Sequence, residues 1–104
     1  MNSPSNELVE CRVIGGDKLP ADSGGSDAFC AAIVRAAAAQ APSTRFTVEV
    51  RVLGASTMTA TLTTADGKAL PEQEFSISDR GLSRASLERF ANNLVGMVAR
   101  AASR

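Results

Sequence analysis

The stretch RFTVEVRVL (45–53) decides the fold of this chain. Every second side chain in it is apolar: Phe46, Val48, Val50 and Val52. The residues between them are charged or hydroxylated, and a period of two with one apolar face is typical of a strand with one buried side. We therefore predict a half-buried β-strand over 45–53, whose apolar face the flanking segments must cover.

Two more strands are predicted after this one. In TMTATLT (57–63), threonine alternates with apolar residues, and in the stretch 74–78 Phe75 and Ile77 alternate with polar ones. Asp66-Gly67 between them is a hairpin signal. Pro71 cannot donate a ladder hydrogen bond, so the last strand is expected at an edge or after that proline.

The segment before 45–53 predicts a strand and a helix. The stretch LVECRVI (8–14) alternates like a strand, and a Gly-rich loop (15–25) follows it. Ser26 is suited to cap a helix, and Pro42 ends that helix. A right-handed crossover through the helix would place the first strand parallel and next to 45–53.

The last segment predicts a long helix that begins at Ser83 or Ser86. Its apolar residues recur at helical spacing: Leu87, Phe90, Ala91, Leu94, Val98 and Ala101. Since each element has one apolar side, both helices should cover one face of the sheet. We predict an α+β two-layer sandwich of order β-α-β-β-β-α, with a mainly antiparallel four-stranded sheet and two helices packed on one face. One domain is expected over 1–104, with 1–7 disordered.

The composition excludes several chemistries. The 104 residues include no histidine, which removes Ser-His-Asp triads, Cys-His dyads and His-ligated metals. The loop Gly24-Gly25-Ser26 enters a helix but matches neither GxGxxG nor GK[ST], and Asp22 and Asp27 would repel a phosphate. We expect a protein that is not an enzyme and has no metal or cofactor.

Carboxylates on the polar face of the sheet are the candidates for acid–base chemistry. If the strand 57–63 lies between the other two, Glu49 and Glu74 are roughly 9.5 Å apart, near the separation in inverting glycosidases. The face should be flat and has no aromatic residue for a sugar. A solvated sheet face is the favoured interpretation.

The two cysteines allow two interpretations. Cys11 lies on the apolar side of its strand and Cys30 in the first turns of the helix. A sheet-facing helical Cα is roughly 8 Å from the strand, whereas a disulfide needs about 7 Å or less. Two buried free thiols are therefore favoured, with a Cys11–Cys30 disulfide as the alternative.

The last helix carries a concentration of positive charge. From Arg80 onward there are five arginines and one glutamate, so the rest of this neutral chain is net negative. Arginine near a helix N-terminus opposes the helix dipole, which can indicate a binding surface, although ion pairs with Asp79 and Glu88 are the favoured explanation. The candidate interaction surface is Arg80, Arg84, Arg89, Asn92, Asn93 and Gly96.

Two partial resemblances accompany these patterns. The α-β-β-β-α order from Ser26 onward resembles double-stranded RNA-binding domains in topology. In those domains the second helix begins with a lysine-rich segment, whereas the corresponding segment here is SRASLERF (83–90), which has no lysine. The fragment GGSDAFCAAI (24–33) with the upstream CRV (11–13) resembles the cysteine pair of periplasmic TolA C-terminal domains.

The functional hypothesis is a small, soluble, non-catalytic protein-interaction domain of a bacterial protein. Its partner would be another protein or a second copy of itself. One alternative is a nucleic-acid-binding module that uses the basic last helix, although the zero net charge argues against nucleic acid as a partner. Another is a periplasmic accessory domain with a Cys11–Cys30 disulfide. The chain as written suits the cytoplasm, and a removed leader would suit the periplasm.

Overall fold

A computed structural model describes residues 9–20, 23–76 and 82–102. The strands are β1 (Val9–Ile14), β2 (Phe46–Val52), β3 (Thr57–Thr64) and β4 (Gln73–Ser76). The helices are α1 (Gly25–Gln40) and α2 (Arg84–Ala102), with a short 3-10 helix at Gly16–Lys18 after β1. The predicted disorder of 1–7 and the candidates Ile77, Asp79 and Arg80 lie outside the described residues.

The four strands form one mixed sheet in the order β1-β2-β3-β4. β1 is parallel to β2, while β2–β3 and β3–β4 are antiparallel. The α+β fold with four strands and two helices is thus confirmed in outline. The parallel pair follows from the crossover, because α1 returns the chain to the starting end of the sheet.

The core lies between the apolar face of the sheet and the two helices. Alternate residues of β2, Phe46, Val48, Val50 and Val52, are buried, as the stretch 45–53 predicts. Phe90 of α2 stacks on Phe75 of β4 with ring centroids 4.7 Å apart, and lies 6.1 Å from Phe29 of α1. These three rings therefore tie both helices to the edge strand β4.

The N-cap of α1 lies two residues before the cap predicted at Ser26. Gly24 takes the N-cap position in a left-handed conformation with φ 91°, which glycine adopts without the Cβ penalty of other residues. The Gly25 N–H donates to Ser23 Oγ at 3.2 Å. The prediction of Ser26 as the cap was therefore wrong, because the loop geometry places Ser23 nearer the free N–H groups.

α2 begins with a reciprocal cap formed by two serines. The Ser86 N–H donates to Ser83 Oγ at 3.2 Å, and the Ser83 N–H donates to Ser86 Oγ at 2.8 Å. This is the capping-box pattern, with serine in place of the usual Glu or Gln at the third helical position. Of the two predicted caps, Ser83 is the N-cap and Ser86 completes the box.

Candidate functional site: the interhelical groove

α1 and α2 lie side by side and run in the same direction. Arg35 of α1 pairs with Glu88 of α2 at 3.4 Å. One turn further along both helices, Gln40 Nε2 donates to the backbone oxygen of Asn92 at 3.3 Å. Because the contacts advance together along the two helices, both helix N-termini lie at the same end of the molecule.

Small side chains leave a groove between the helices. The groove contains two clefts of about 180 and 240 Å³, and both are bordered by Arg35 and Glu88. Its remaining lining is mostly alanine. We call this surface the interhelical groove, defined by Ala28, Ala31, Ala32, Arg35, Ala36, Ala39, Arg84, Glu88 and Asn92. A surface of alanines allows the backbone of another chain to approach closely.

The ion pair Arg35–Glu88 bridges the groove from one helix to the other. The two side chains are 63% and 49% exposed. An exposed pair of this kind contributes roughly 0–1 kcal/mol to folding because solvent screens it and side-chain entropy opposes it. The pair can therefore open at little cost and present both charges to a partner.

Arg84 places a positive charge at one end of the groove. Its guanidinium lies over Gly24, since a Cβ built on that glycine would be 2.9 Å from Arg84 Nη2. Arg84 is exposed, and it stands at the N-terminal ends of both helices, where the dipoles disfavour a cation. No carboxylate within the described ranges lies within salt-bridge distance of Arg84 to offset this cost.

The predicted ion pairing of the basic helix does not hold for Glu88. That carboxylate pairs with Arg35 of α1, and within 9–20, 23–76 and 82–102 no carboxylate lies within salt-bridge distance of Arg84 or Arg89. The other proposed partner, Asp79, lies outside these ranges. The explanation of these arginines by local ion pairs is therefore incorrect as far as Glu88 is concerned.

The candidate surface on α2 divides into two parts. Arg84 and Asn92 line the interhelical groove, whereas Arg89 and Asn93 are exposed outside it. Gly96 is half-buried, and a Cβ there would lie 3.4 Å from Gln40 Oε1. The close neighbour of Gly96 is thus α1 of the same chain. Arg80 is outside the described residues.

Cys11 and Cys30 form a disulfide. Their Cα atoms are 5.8 Å apart, closer than the roughly 8 Å expected for a helix packed on a sheet. The favoured interpretation of two free thiols is therefore wrong for this structure. The reason is local: Cys30 lies in the first turns of α1, where the helix comes close to β1.

The open face of the sheet does not bring its carboxylates together. Glu49 is paired with Thr61, whereas Glu74 is paired with Thr59. The two glutamates are thus offset by two strands and two residues, about 12 Å between Cα atoms from ideal sheet spacings. This exceeds the roughly 9.5 Å expected from sequence and removes the geometric support for an acid–base pair.

The described residues contain no group of three or more His, Cys, Asp or Glu side chains that could hold a metal ion. At Gly24-Gly25-Ser26, the candidate phosphate loop, Ser26 Oγ instead lies against Gly16. No helix in the described ranges is long and apolar enough to cross a membrane.

Comparisons with protein families, with curated proteins and with solved structures find no match for this chain.

The groove residues on α1 were missed at the sequence level. The run AAIVRAAAAQ (31–40) predicts a helix from its alanine content but does not indicate a groove. Arg35 and Gln40 are the two long polar side chains in this run of small and apolar residues, and both reach α2 in the structure. Glu88 is likewise distinctive in the sequence, because it is the single acidic residue after Arg80.

Proposed function

We propose that this chain is a small non-catalytic protein-interaction domain that binds a partner in the interhelical groove. The observation that carries the proposal is that the groove is lined mainly by alanines. The Arg35–Glu88 ion pair that bridges it can open at little cost. A segment with small apolar side chains would pack on the alanines, and its carboxylates would pair with Arg84 and Arg35. Arginine is enriched at protein interfaces, which agrees with this role.

The residues near the groove favour binding over catalysis. The chain has no histidine, and the two buried serines in the described ranges are committed to structure: Ser23 Oγ donates to Pro20 O at 2.6 Å, and Ser86 Oγ donates to Ser83 O at 2.9 Å. A nucleophilic serine would need a free hydroxyl beside a base.

The disulfide supports a role in an oxidising compartment. Disulfides persist in the periplasm and outside cells and are rare in a reducing cytosol. The Cys11–Cys30 bond therefore favours a periplasmic accessory domain over a cytoplasmic protein, and this is compatible with protein binding. Intact source cells can be quenched in acid and the denatured protein then treated with a thiol-alkylating reagent. If the disulfide forms in the cell, neither cysteine is alkylated.

Nucleic acid is a second candidate partner, supported by one observation. Arg84 and Arg89 have no carboxylate partner among the described residues. Phosphate contacts would make binding fall steeply with salt. Filter binding at low salt decides between the two candidates: no retention of RNA or DNA excludes the nucleic-acid role.

Site-specific photo-crosslinking tests the groove itself. A photoreactive amino acid at Ala39, which lines the groove, should give a discrete crosslinked product in source cells. The same residue at Ala85, an exposed alanine of α2 outside the groove, is the matched control. Identical product patterns from both positions, or none from Ala39, would reject the groove as the binding site.

A further inference from the structure

The connection between β3 and β4 contains the only Asp-Gly pair in the sequence, Asp66-Gly67. Both residues are exposed, and a Cβ built on Gly67 would have no neighbouring atom within 4 Å. Because glycine has no side chain, its backbone nitrogen is open to close approach by the carboxyl group of the residue before it. The connection therefore presents at the surface the two groups that isoaspartate formation requires.

Isoaspartate forms by an internal reaction of these two residues. The Gly67 nitrogen bonds to the side-chain carboxyl carbon of Asp66, and the amide proton and the carboxyl OH leave together as water. Water then opens the resulting succinimide ring. Opening at the main-chain carbonyl leaves Gly67 attached through the Asp66 side chain, whereas opening at the other carbonyl restores aspartate. The overall change is an isomerisation that consumes no oxidant, reductant or cofactor.

The folded turn holds both reacting groups in hydrogen bonds. The Gly67 N–H donates to the Thr64 backbone oxygen at 2.9 Å, and an amide proton held in this way is released only when the turn opens. Asp66 Oδ1 accepts a hydrogen bond from the Thr64 hydroxyl and another from the Lys68 N–H at 3.4 Å. Thr64 thus holds the attacking nitrogen with its backbone and the attacked carboxylate with its side chain.

The Thr64 hydroxyl contact can be lost separately from the backbone turn. The same hydroxyl lies 3.2 Å from the Lys68 backbone oxygen, and its single proton serves one acceptor at a time. Its hydrogen bond lowers the pKa of Asp66, so the carboxyl group stays in the charged form. The negative charge opposes attack at the carboxyl carbon, and loss of this one contact therefore favours the reaction.

We propose that Asp66-Gly67 is a site of isoaspartate formation and that Thr64 suppresses the reaction in the folded domain. None of these residues lines the interhelical groove, so this proposal and the groove proposal fail independently.

The modification would act on the pairing of β3 with the chain that leads to β4. An isoaspartyl link adds one carbon atom to the main chain inside the turn. The Thr64 N–H donates to the Lys68 oxygen at 2.9 Å, and Thr63 forms a bridge with Ala69. Since the length of the connection sets the register of a hairpin, the extra atom would disturb both contacts. The modified protein should therefore unfold at a lower urea concentration than the unmodified protein.

Ageing of the purified protein with peptide mapping tests the proposal. Trypsin cleaves after Arg51 and Lys68, so a single peptide, 52–68, contains the site. Its isoaspartyl form separates by chromatography and accepts a methyl group from S-adenosylmethionine in the presence of an isoaspartyl methyltransferase. The folded wild type should react more slowly than the wild type in urea. Folded Thr64→Val should react about two- to tenfold faster than the folded wild type, because one ordinary hydrogen bond is lost.

Two variants control for the substitution itself. Thr64→Ser keeps the hydroxyl and should react as slowly as the wild type. Thr61→Val makes the same chemical change on β3, opposite Glu49, and should also leave the rate unchanged. Hydrogen exchange of the Gly67 amide shows whether the backbone turn persists in each variant, and in urea the wild type and all three variants should react at one rate.

Three results would overturn the proposal. The first is an unfolded wild type that forms no isoaspartate at this peptide. The second is a folded wild type that reacts as fast as the unfolded protein. The third is a Thr64→Val protein that reacts no faster than Thr61→Val or Thr64→Ser. If Thr64→Val does not fold, fast reaction of a folded Thr64→Ser protein overturns the role of the hydroxyl, and slow reaction supports it.

Discussion

The disulfide is expected to supply a large part of the stability of this domain. Replacing Cys11 and Cys30 by alanine should lower the free energy of unfolding by about 3 kcal/mol. The two residues are separated by 19 positions. In the chain-entropy treatment, closing a loop of this length removes about 11 cal/mol/K from the unfolded chain, which is about 3 kcal/mol at 25 °C.

This loss should be visible in both urea and thermal unfolding. For a domain of about 100 residues, 1 kcal/mol shifts Tm by at least about 4 °C, so the variant should melt about 12 °C or more below the wild type. The loss is a large fraction of the roughly 5–15 kcal/mol that keeps most domains folded.

Reduction of the wild type separates the crosslink from the lost packing of two sulfur atoms. A reductant should shift the wild-type urea midpoint towards that of the alanine variant and should leave the variant unchanged. A difference below about 1 kcal/mol between oxidised and reduced wild type would refute the entropic account given for this bond.

Three further predictions concern single residues. Ser83→Ala should destabilise the domain by about 1 kcal/mol in urea unfolding, because α2 loses its N-cap acceptor; no loss would contradict the cap. Gly96→Ala should stabilise it by up to about 1 kcal/mol, since the new Cβ meets the flexible side-chain ends of Gln40 and Arg100; a loss would show that these contacts cannot relax. Two hydrogen bonds lower the pKa of Asp66 below its usual 3.8: the larger effect comes from the Thr64 hydroxyl and the next from the backbone N–H of Lys68. This group therefore favours the folded state above the unfolded pKa, and the preference is lost as pH falls through the folded pKa; Thr64→Val should raise the Asp66 pKa in an NMR titration, and an unchanged pKa would contradict the assignment.

The sheet was predictable because its signals are local. Alternation over 45–53 identifies β2 and its buried face without reference to any distant residue. The crossover rule then places β1 beside it. These inferences need only the spacing of apolar residues and the handedness of a connection, and both are present in the sequence.

Features that depend on separations between elements were not predictable. The cysteines required the distance between the start of α1 and β1, and an average helix–sheet spacing gave the wrong preference. The register of β4 moved Glu74 away from Glu49. The contact of Gly96 with Gln40 required the parallel arrangement of the two helices, which follows from packing and not from the pattern of either helix alone.

The most direct test of the groove proposal is NMR chemical-shift mapping. The isotope-labelled domain is titrated with the partner protein that crosslinking at Ala39 identifies. The account predicts that the largest shifts fall on groove residues, including Ala32, Arg35 and Glu88, and that Ala39→Arg abolishes them while Ala85→Arg does not. Shifts concentrated on the open sheet face, around Thr59 and Thr61, with equal binding by both variants would contradict it.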